Sequence, residues 1–242
     1  STIITTDSDL DVYFHYCSGV LTVGTGTVNL AHSVFESSPT LTSGTVNMTN
    51  CTWKSAVSFI NTVVATAYNS VFPSITWSSS GNGAIYNSTI AGNITHSSTG
   101  TLGVHSSYAA DITMSGIGST LTSSNTFATS VKQTAANTAR FYGGRLTLWS
   151  ITDAAATGYA NNIYFIGGAA TVVTITGTLN CFNNVIDCTA ANWATGTGTL
   201  NQRGNILMDG TTVAAGTLTL GAADFTTIGA ATPISVTAFR II

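Results

Sequence analysis

The sequence predicts an all-β fold, a parallel β-helix (β-solenoid) of about 11–12 coils with 18–21 residues each. Three observations predict it. The chain is almost free of charge, one phrase returns at a nearly fixed interval, and apolar and polar residues alternate inside that phrase.

Composition sets the class. Charged residues make up 6% of the 242, six Lys and Arg facing nine acids, and Glu36 is the single Glu. An ordinary soluble domain carries roughly 25%. Hydrophobic residues reach 44% and net charge is only −3, the reverse of the balance in disordered chains. Thr, Ser, Asn and Gly fill the polar complement. Thr, Val, Ile and aromatics suit a pleated sheet, whereas Lys, Glu and Ala-rich runs would favour helix.

The same composition narrows the partners. With no basic cluster, nucleic acid is not expected. No apolar run approaches the roughly 18–20 residues of a membrane span. Ser1 to Asp11 carries neither a basic nor an apolar leader, and the chain starts without Met. It is therefore expected to be a processed product or the ordered part of something longer. Cys17, Cys51, Cys181 and Cys188 lack metal-type spacing, which leaves small buried apolar residues or a Cys181–Cys188 disulfide.

The recurring phrase is Gly-Thr, then Val or Leu, then a large apolar residue nine positions after the Gly. It runs from Gly26 to Phe35, Gly44 to Trp53, Gly177 to Ile186, Gly198 to Leu207 and Gly216 to Phe225, with a looser copy from Gly118 to Phe127. With the apolar residue as anchor, the series is Phe14, Phe35, Trp53, Phe72, Ile90, Tyr108, Phe127, Phe165, Ile186, Leu207 and Phe225. Its spacings are 21, 18, 19, 18, 18, 19, 38, 21, 21 and 18. The 38 is twice 19, so one coil between Phe127 and Phe165 lacks a clear anchor. Within the phrase, Thr27-Val28-Asn29-Leu30 and Thr45-Val46-Asn47-Met48 alternate with period two, as strands do. A coil cannot bury its own apolar face, so neighbours must stack into one core.

A second column lies three residues before each anchor: His32, Asn50, Asn69, Asn87, His105, Ser124, Asn162 and Asn183. Stacked Asn amides at a strand spacing of about 4.8 Å can bond one another, which predicts a structural ladder led by His32, Asn50, Asn69, Asn87 and His105. Asn also tolerates the turns where a coil bends. Glu36 and Lys54, 18 residues apart, are expected to stack as an ion pair.

Residues 1–225 read as one solenoid domain and 226–242, where the repeat is lost, as a C-terminal cap or junction. Periodicity weakens over 128–164, which predicts an irregular coil or protruding loop. That stretch holds Arg140, Arg145, Trp149 and Asp153, the candidate ligand-binding residues, suited to an anionic sugar.

Motifs for chemistry are sparse. No GxSxG, phosphate-binding loop or dinucleotide fingerprint occurs, and no metal ligand set or cofactor is called for. Asp7, Asp9 and Asp11 begin like a calcium loop but lack the sixth-place Gly and closing Glu, so only a loose surface calcium site remains open. Asp187 and Asp209 lie 22 apart and are the one carboxylate pair weighed for glycan cleavage, though their offsets from the anchors differ by one. No catalytic residue is assigned. Trp77, Trp149 and Trp193 stand off the anchor column and are the tryptophans free to face outward; Trp53, an anchor, belongs to the core. A regular outward Thr-X-Thr column, the mark of an ice-binding solenoid, is missing.

The ladder-bearing repeat and the Thr/Ser/Asn/Gly/Ala surface, over roughly residues 12–225, resemble β-helical extracellular fibres. The nearest are bacteriophage tail fibres and tailspikes, then autotransporter-type bacterial adhesins. The resemblance is one of architecture and composition. It implies a homotrimer on a virion or extracellular surface that binds cell-surface polysaccharide. The leading expectation is a non-catalytic structural and host-recognition segment; the alternatives are a glycan-depolymerising tailspike and a bacterial surface adhesin.

Overall fold

The computed structural model describes residues 4–6, 8–18, 21–166, 172–187, 192–208, 212–220, 225–228 and 234–241, with side chains for 8–18, 21, 23–166, 172–187 and 196–206. These residues form strands and turns with no helix, wound as a parallel β-solenoid of about ten turns. Two compact units, 1–122 and 123–242, divide the chain.

In the first unit each coil contributes three short strands. Ile75–Ser79, Gly83–Tyr86 and Thr89–Ile90 make one such coil. Each strand pairs in parallel with its equivalents one coil away, so three sheets run along the unit. Ile75–Ser79 lies between Val57–Asn61 and Ile94–His96 in the first sheet. Gly83–Tyr86 lies between Val64–Tyr68 and Thr101–His105 in the second. Thr89–Ile90 lies between Val71–Phe72 and Tyr108–Ala109 in the third.

The alternation read from sequence decides which side chains enter the core. Val28 and Leu30, then Val46 and Met48, point inward, while Thr27, Asn29, Thr45 and Asn47 face out. Large rings fill the centre as stacks: Phe35 on Trp53 at 4.0 Å, and Phe59 on Trp77 at 4.8 Å. Across the core from Trp77 stands Gly83, where a Cβ would lie 2.7 Å from ring atom Cζ3, so only glycine fits there. Trp77 is thus core, as is Trp149 in the second unit.

Four of the five ladder residues, His32, Asn50, Asn69 and Asn87, take a left-handed backbone conformation. Phe14, His32, Asn50, Asn69, Asn87 and Ser106 all adopt positive φ, between 47° and 54°. They form the corner between second and third sheets. Asn is the side chain that tolerates this left-handed conformation best after Gly. One contact along the column joins the amide of Asn50 to His32 Nδ1, at a long 3.4 Å. Amide ladders occur elsewhere: Asn47 donates to Asn29 at 2.8 Å and Asn29 to Asp11 at 2.7 Å. His105 lies one residue before the corner, which belongs to Ser106. The expected column slipped there because Tyr108 was taken as an anchor. Ala109 is the inward residue, in register with Ile90, and Tyr108 is exposed.

Three other anchors are also displaced, by one to three residues. Phe14 is itself a corner residue, 79% exposed, and Cys17 is the one in register with Phe35. Phe127 is 53% exposed while Ala128 is buried. Phe225 pairs with Asn205, two places from the anchor register of Leu207.

Inside each corner runs a second ladder that sequence reasoning missed. The residue after the corner is Ser33, Cys51, Ser70, Ser88 or Ser107, all buried. The hydroxyls of Ser70, Ser88 and Ser107 accept the backbone N–H of Cys51, Ser70 and Ser88 at 3.0–3.1 Å. Each also donates to the carbonyl two residues before it, at 2.7–2.9 Å. The carbonyls of Tyr68, Tyr86 and His105 also accept the N–H of Asn50, Asn69 and Asn87 at 3.0 Å, but the bend leaves the N–H groups of Cys51, Ser70 and Ser88 without backbone partners, and buried orphans are costly. The small hydroxyl restores them.

The second unit repeats the plan. Its corners are Asn125, Gly143, Asn162, Asn183 and Gly204, all with positive φ. The coil expected to be irregular is complete. Thr138–Ile151 runs as one 14-residue strand, pairing in turn with Thr157–Asn161, Tyr164–Ile166 and Val173–Ile175. Leu146, buried and in register with Phe165, is the anchor that seemed lost. Gly143-Gly144 replaces the usual Asn-Ser at its corner, which hid it in the sequence. Asn184 and Asn205 take the inner-ladder place, their Oδ1 atoms accepting Ile163 N–H at 2.8 Å and Asn184 N–H at 2.9 Å. In the core, Trp149 donates through Nε1 to Gln133 Oε1 at 2.9 Å, and Gln133 donates to Asn137 Oδ1 at 3.0 Å. Parallel pairing continues past residue 225: Phe225–Ile228 joins Asn205–Met208, and Ile234–Ile241 joins Thr212–Leu220.

On the outer face of the first sheet, Thr40, Ser58, Thr76, Thr95 and Thr113 do form one outward column in the first unit. Its neighbour two residues on is broken at Ile60, in register with Ser78, so a paired Thr-X-Thr array is incomplete.

Candidate ligand-binding corner

The predicted cluster does not assemble. Arg140 faces out from the second sheet with its guanidinium 5.3 Å from the Tyr159 ring centre. Arg145 is exposed at the corner, in register with Tyr164. Trp149 is buried in the core, because its register partner Val173 faces inward. Asp153 lies in the turn from first to second sheet, where Oδ1 accepts Ala155 N–H at 2.8 Å. Four residues close in sequence are dealt to different faces by the winding of the coil. Trp193, Cys188, Asp7 and Asp209 lie outside the described side chains.

What the winding does gather is aromatic. Among the described residues eleven large hydrophobics are exposed, and all but Val64 and Ile117 flank the left-handed corners. In the first unit these are Tyr13, Phe14, Tyr16, Tyr68, Val71 and Tyr108. In the second they are Phe127, Tyr142 and Tyr164. The cause is local. The residues just before and two after each corner end one strand and begin the next with side chains turned to solvent.

Rings on successive coils stack. Tyr68 lies on Tyr86 with centroids 4.8 Å apart and planes 11° apart, and Tyr86 on His105 at 5.0 Å. Phe14 stacks on His32 at 4.9 Å. Each distance is close to one strand spacing. A shallow cavity of about 360 Å³ lies beside Leu10, Asp11, Val12, Tyr13 and His15. In the second unit a cavity of about 420 Å³ is lined by Asn161, Phe182, Asn183 and Arg203.

Charged groups along the first unit are mostly tied to structure. Lys54 Nζ lies 2.6 Å from Glu36 Oε1, the predicted pair, and the Tyr16 hydroxyl also bonds Glu36. Lys54 and Tyr16 hold the Glu36 carboxyl below its usual range, and Glu36 raises both partners. Asp9 accepts the Thr27 N–H at 3.0 Å. Asp187, one half of the carboxylate pair weighed for cleavage, accepts the Tyr164 hydroxyl at 3.3 Å. No group of three metal-ligating side chains occurs among the described residues. Cys17, Cys51 and Cys181 are buried and Cys181 forms no disulfide; burial raises the thiol pKa of Cys51 and Cys181.

His96 is a core residue, fully buried in register with Trp77 and Met114. Its Nε2 lies 2.9 Å from the Gly100 carbonyl and Nδ1 has no partner. Burial lowers its pKa, so the folded state holds it neutral while the unfolded chain protonates near 6.5. Its contribution to stability is full above about pH 6.5 and is lost as pH falls towards the lower folded value. His105, also lowered by burial, adds the same sign. Urea midpoints are expected to drop between pH 7.5 and 5.5, and His96→Met to flatten most of that drop. An unchanged slope in the variant would show that another group drives it.

No family model, curated protein or solved structure matches the chain.

Proposed function

We propose that the chain is a structural and host-recognition segment of a viral (phage) tail fibre or spike. In this reading it is homotrimeric and non-catalytic, and it binds cell-surface glycan at its aromatic corner. The observation that carries the binding role is the gathering of exposed Tyr and Phe along the left-handed corners of each unit. Flat apolar ring faces edged by hydroxyls match the apolar faces and hydroxyl rims of sugar rings, and rigid aromatics lose little entropy on binding. Units of parallel stacked coils, in a chain with 6% charged residues, also suit a load-bearing fibre.

The test is binding of the whole chain to lipopolysaccharide and capsular polysaccharide from a host panel. Removing a stacked ring, as in Tyr68→Ala or Tyr86→Ala, should weaken binding about tenfold per ring, the equivalent of roughly 1.4 kcal/mol. Both positions are on the surface, so the melting temperature should barely move. Full affinity in the double variant would remove the corner as the site. Shortened polysaccharide chains would favour the depolymerising tailspike instead.

A further inference from the structure

We infer that the depression lined by Asn161, Phe182, Asn183 and Arg203 in the second unit is a subsite for the carboxylate of an acidic sugar residue. This rests on the glycan reading above and names the sugar class that one part of the corner selects.

Three of the four lining residues come from one column. Asn161, Phe182 and Arg203 are register partners at the end of the second sheet on three successive coils. They therefore span two strand spacings, about 9.6 Å, the length of one to two sugar rings. Asn183, the left-handed corner residue, forms the fourth wall, and the cavity measures about 420 Å³.

The chemistry of the lining is specific. Arg203 is exposed and has no ion pair among the described residues, whereas Lys54 is paired with Glu36. A guanidinium presents two parallel N–H donors that match a carboxylate. Phe182 is half-buried and offers part of a ring. Asn161 Oδ1 is buried and has no hydrogen-bond partner. Leaving that acceptor unpaired is costly, and a turn of the Asn161 amide towards the depression brings it to a ligand hydroxyl. A cation, a ring and an unfilled acceptor together describe a pyranose bearing a carboxylate. A neutral sugar would leave Arg203 unused, and a small inorganic anion would use neither Phe182 nor Asn161.

The preference is testable by calorimetry on the whole chain. The probes are oligomers of polygalacturonate, polyglucuronate and polysialate, each beside its carboxyl-reduced, neutral counterpart. At least one acidic oligomer should bind about tenfold or more tighter than its reduced form. Arg203→Gln should abolish that difference while leaving binding of the neutral form unchanged, and Arg203→Lys should keep part of it. Arg203 is on the surface, so these variants should fold, and melting curves check that they do. Equal binding of acidic and reduced oligomers, or a preference that survives Arg203→Gln, overturns the subsite and leaves the glycan reading standing. Binding of no oligomer, together with no binding to host polysaccharide, overturns both.

Discussion

Replacing Trp53 by Ala is expected to cost about 3–5 kcal/mol, the largest single effect in the first unit. The side chain is almost completely buried, stacked face to face on Phe35, and Phe72 occupies the same place one coil on. A solenoid coil touches only its neighbours, so the void cannot be absorbed by distant rearrangement. Trp53→Phe makes the control sharp. The indole Nε1 is buried without a partner, so Phe removes an orphaned donor while keeping a ring on Phe35. Urea denaturation should therefore show a large loss for Ala and a small loss or none for Phe. Equal losses would mean that the indole N–H matters in a way its surroundings do not explain.

Ser88→Val should destabilise by about 1–3 kcal/mol for each group it orphans, despite the nearly identical size of the two side chains. The Ser88 hydroxyl accepts the Ser70 N–H at 3.0 Å and donates to the Tyr86 carbonyl at 2.7 Å. Valine leaves the Ser70 N–H buried without a partner, while the Tyr86 carbonyl still accepts the Asn69 N–H at 3.0 Å. Ser88→Cys should recover part of the loss, because Cys51 fills this place in its own coil and its thiol lies 3.5 Å from the Thr49 carbonyl. Amide exchange gives the decisive reading. Protection at Ser70 should fall in the valine variant before the rest of the unit loosens. Unaltered protection there would show that the inner ladder follows from the bend and does not hold it.

Much of this architecture was legible before the coordinates. The interval of 18–21 residues, the inward Val-X-Leu pattern and the Asn column each follow from residue order alone. Two of the displaced anchors, Tyr108 and Phe127, share one physical origin. At a corner the third-sheet strand opens with only two residues in several coils, such as Val71–Phe72, so one is inside and one outside. Hydrophobicity then points to the larger residue, and at Tyr108 and Phe127 the larger one is on the surface while Ala109 and Ala128 are inside. Over 128–164 the cause is different: Leu146 is the anchor, and Gly143-Gly144 carries no side chain to mark the corner before it.

The candidate site was less legible for a related reason. Proximity in sequence suggested Arg140, Arg145, Trp149 and Asp153, whereas function in a wound chain gathers residues about one coil apart. Tyr68, Tyr86 and His105 are separated by 18 and 19 residues, as are the corners beside them. The column holding Asn161, Phe182 and Arg203 has intervals of 21. Scanning outward positions at the coil interval would have found both.

The left-handed corner also keeps the chain in phase. Because each coil re-enters its sheets through the same bend, excising Asn69 to Tyr86 would join Tyr68 directly to Asn87, with the corner conformation and the inward pattern unbroken. Coils of this kind behave as interchangeable beads. Gaining or losing one lengthens or shortens its unit by a single strand spacing and adds or removes one set of corner rings. Reach and valency then change together, without redesign of the core, and weak contacts per ring can sum to firm attachment along a polymer.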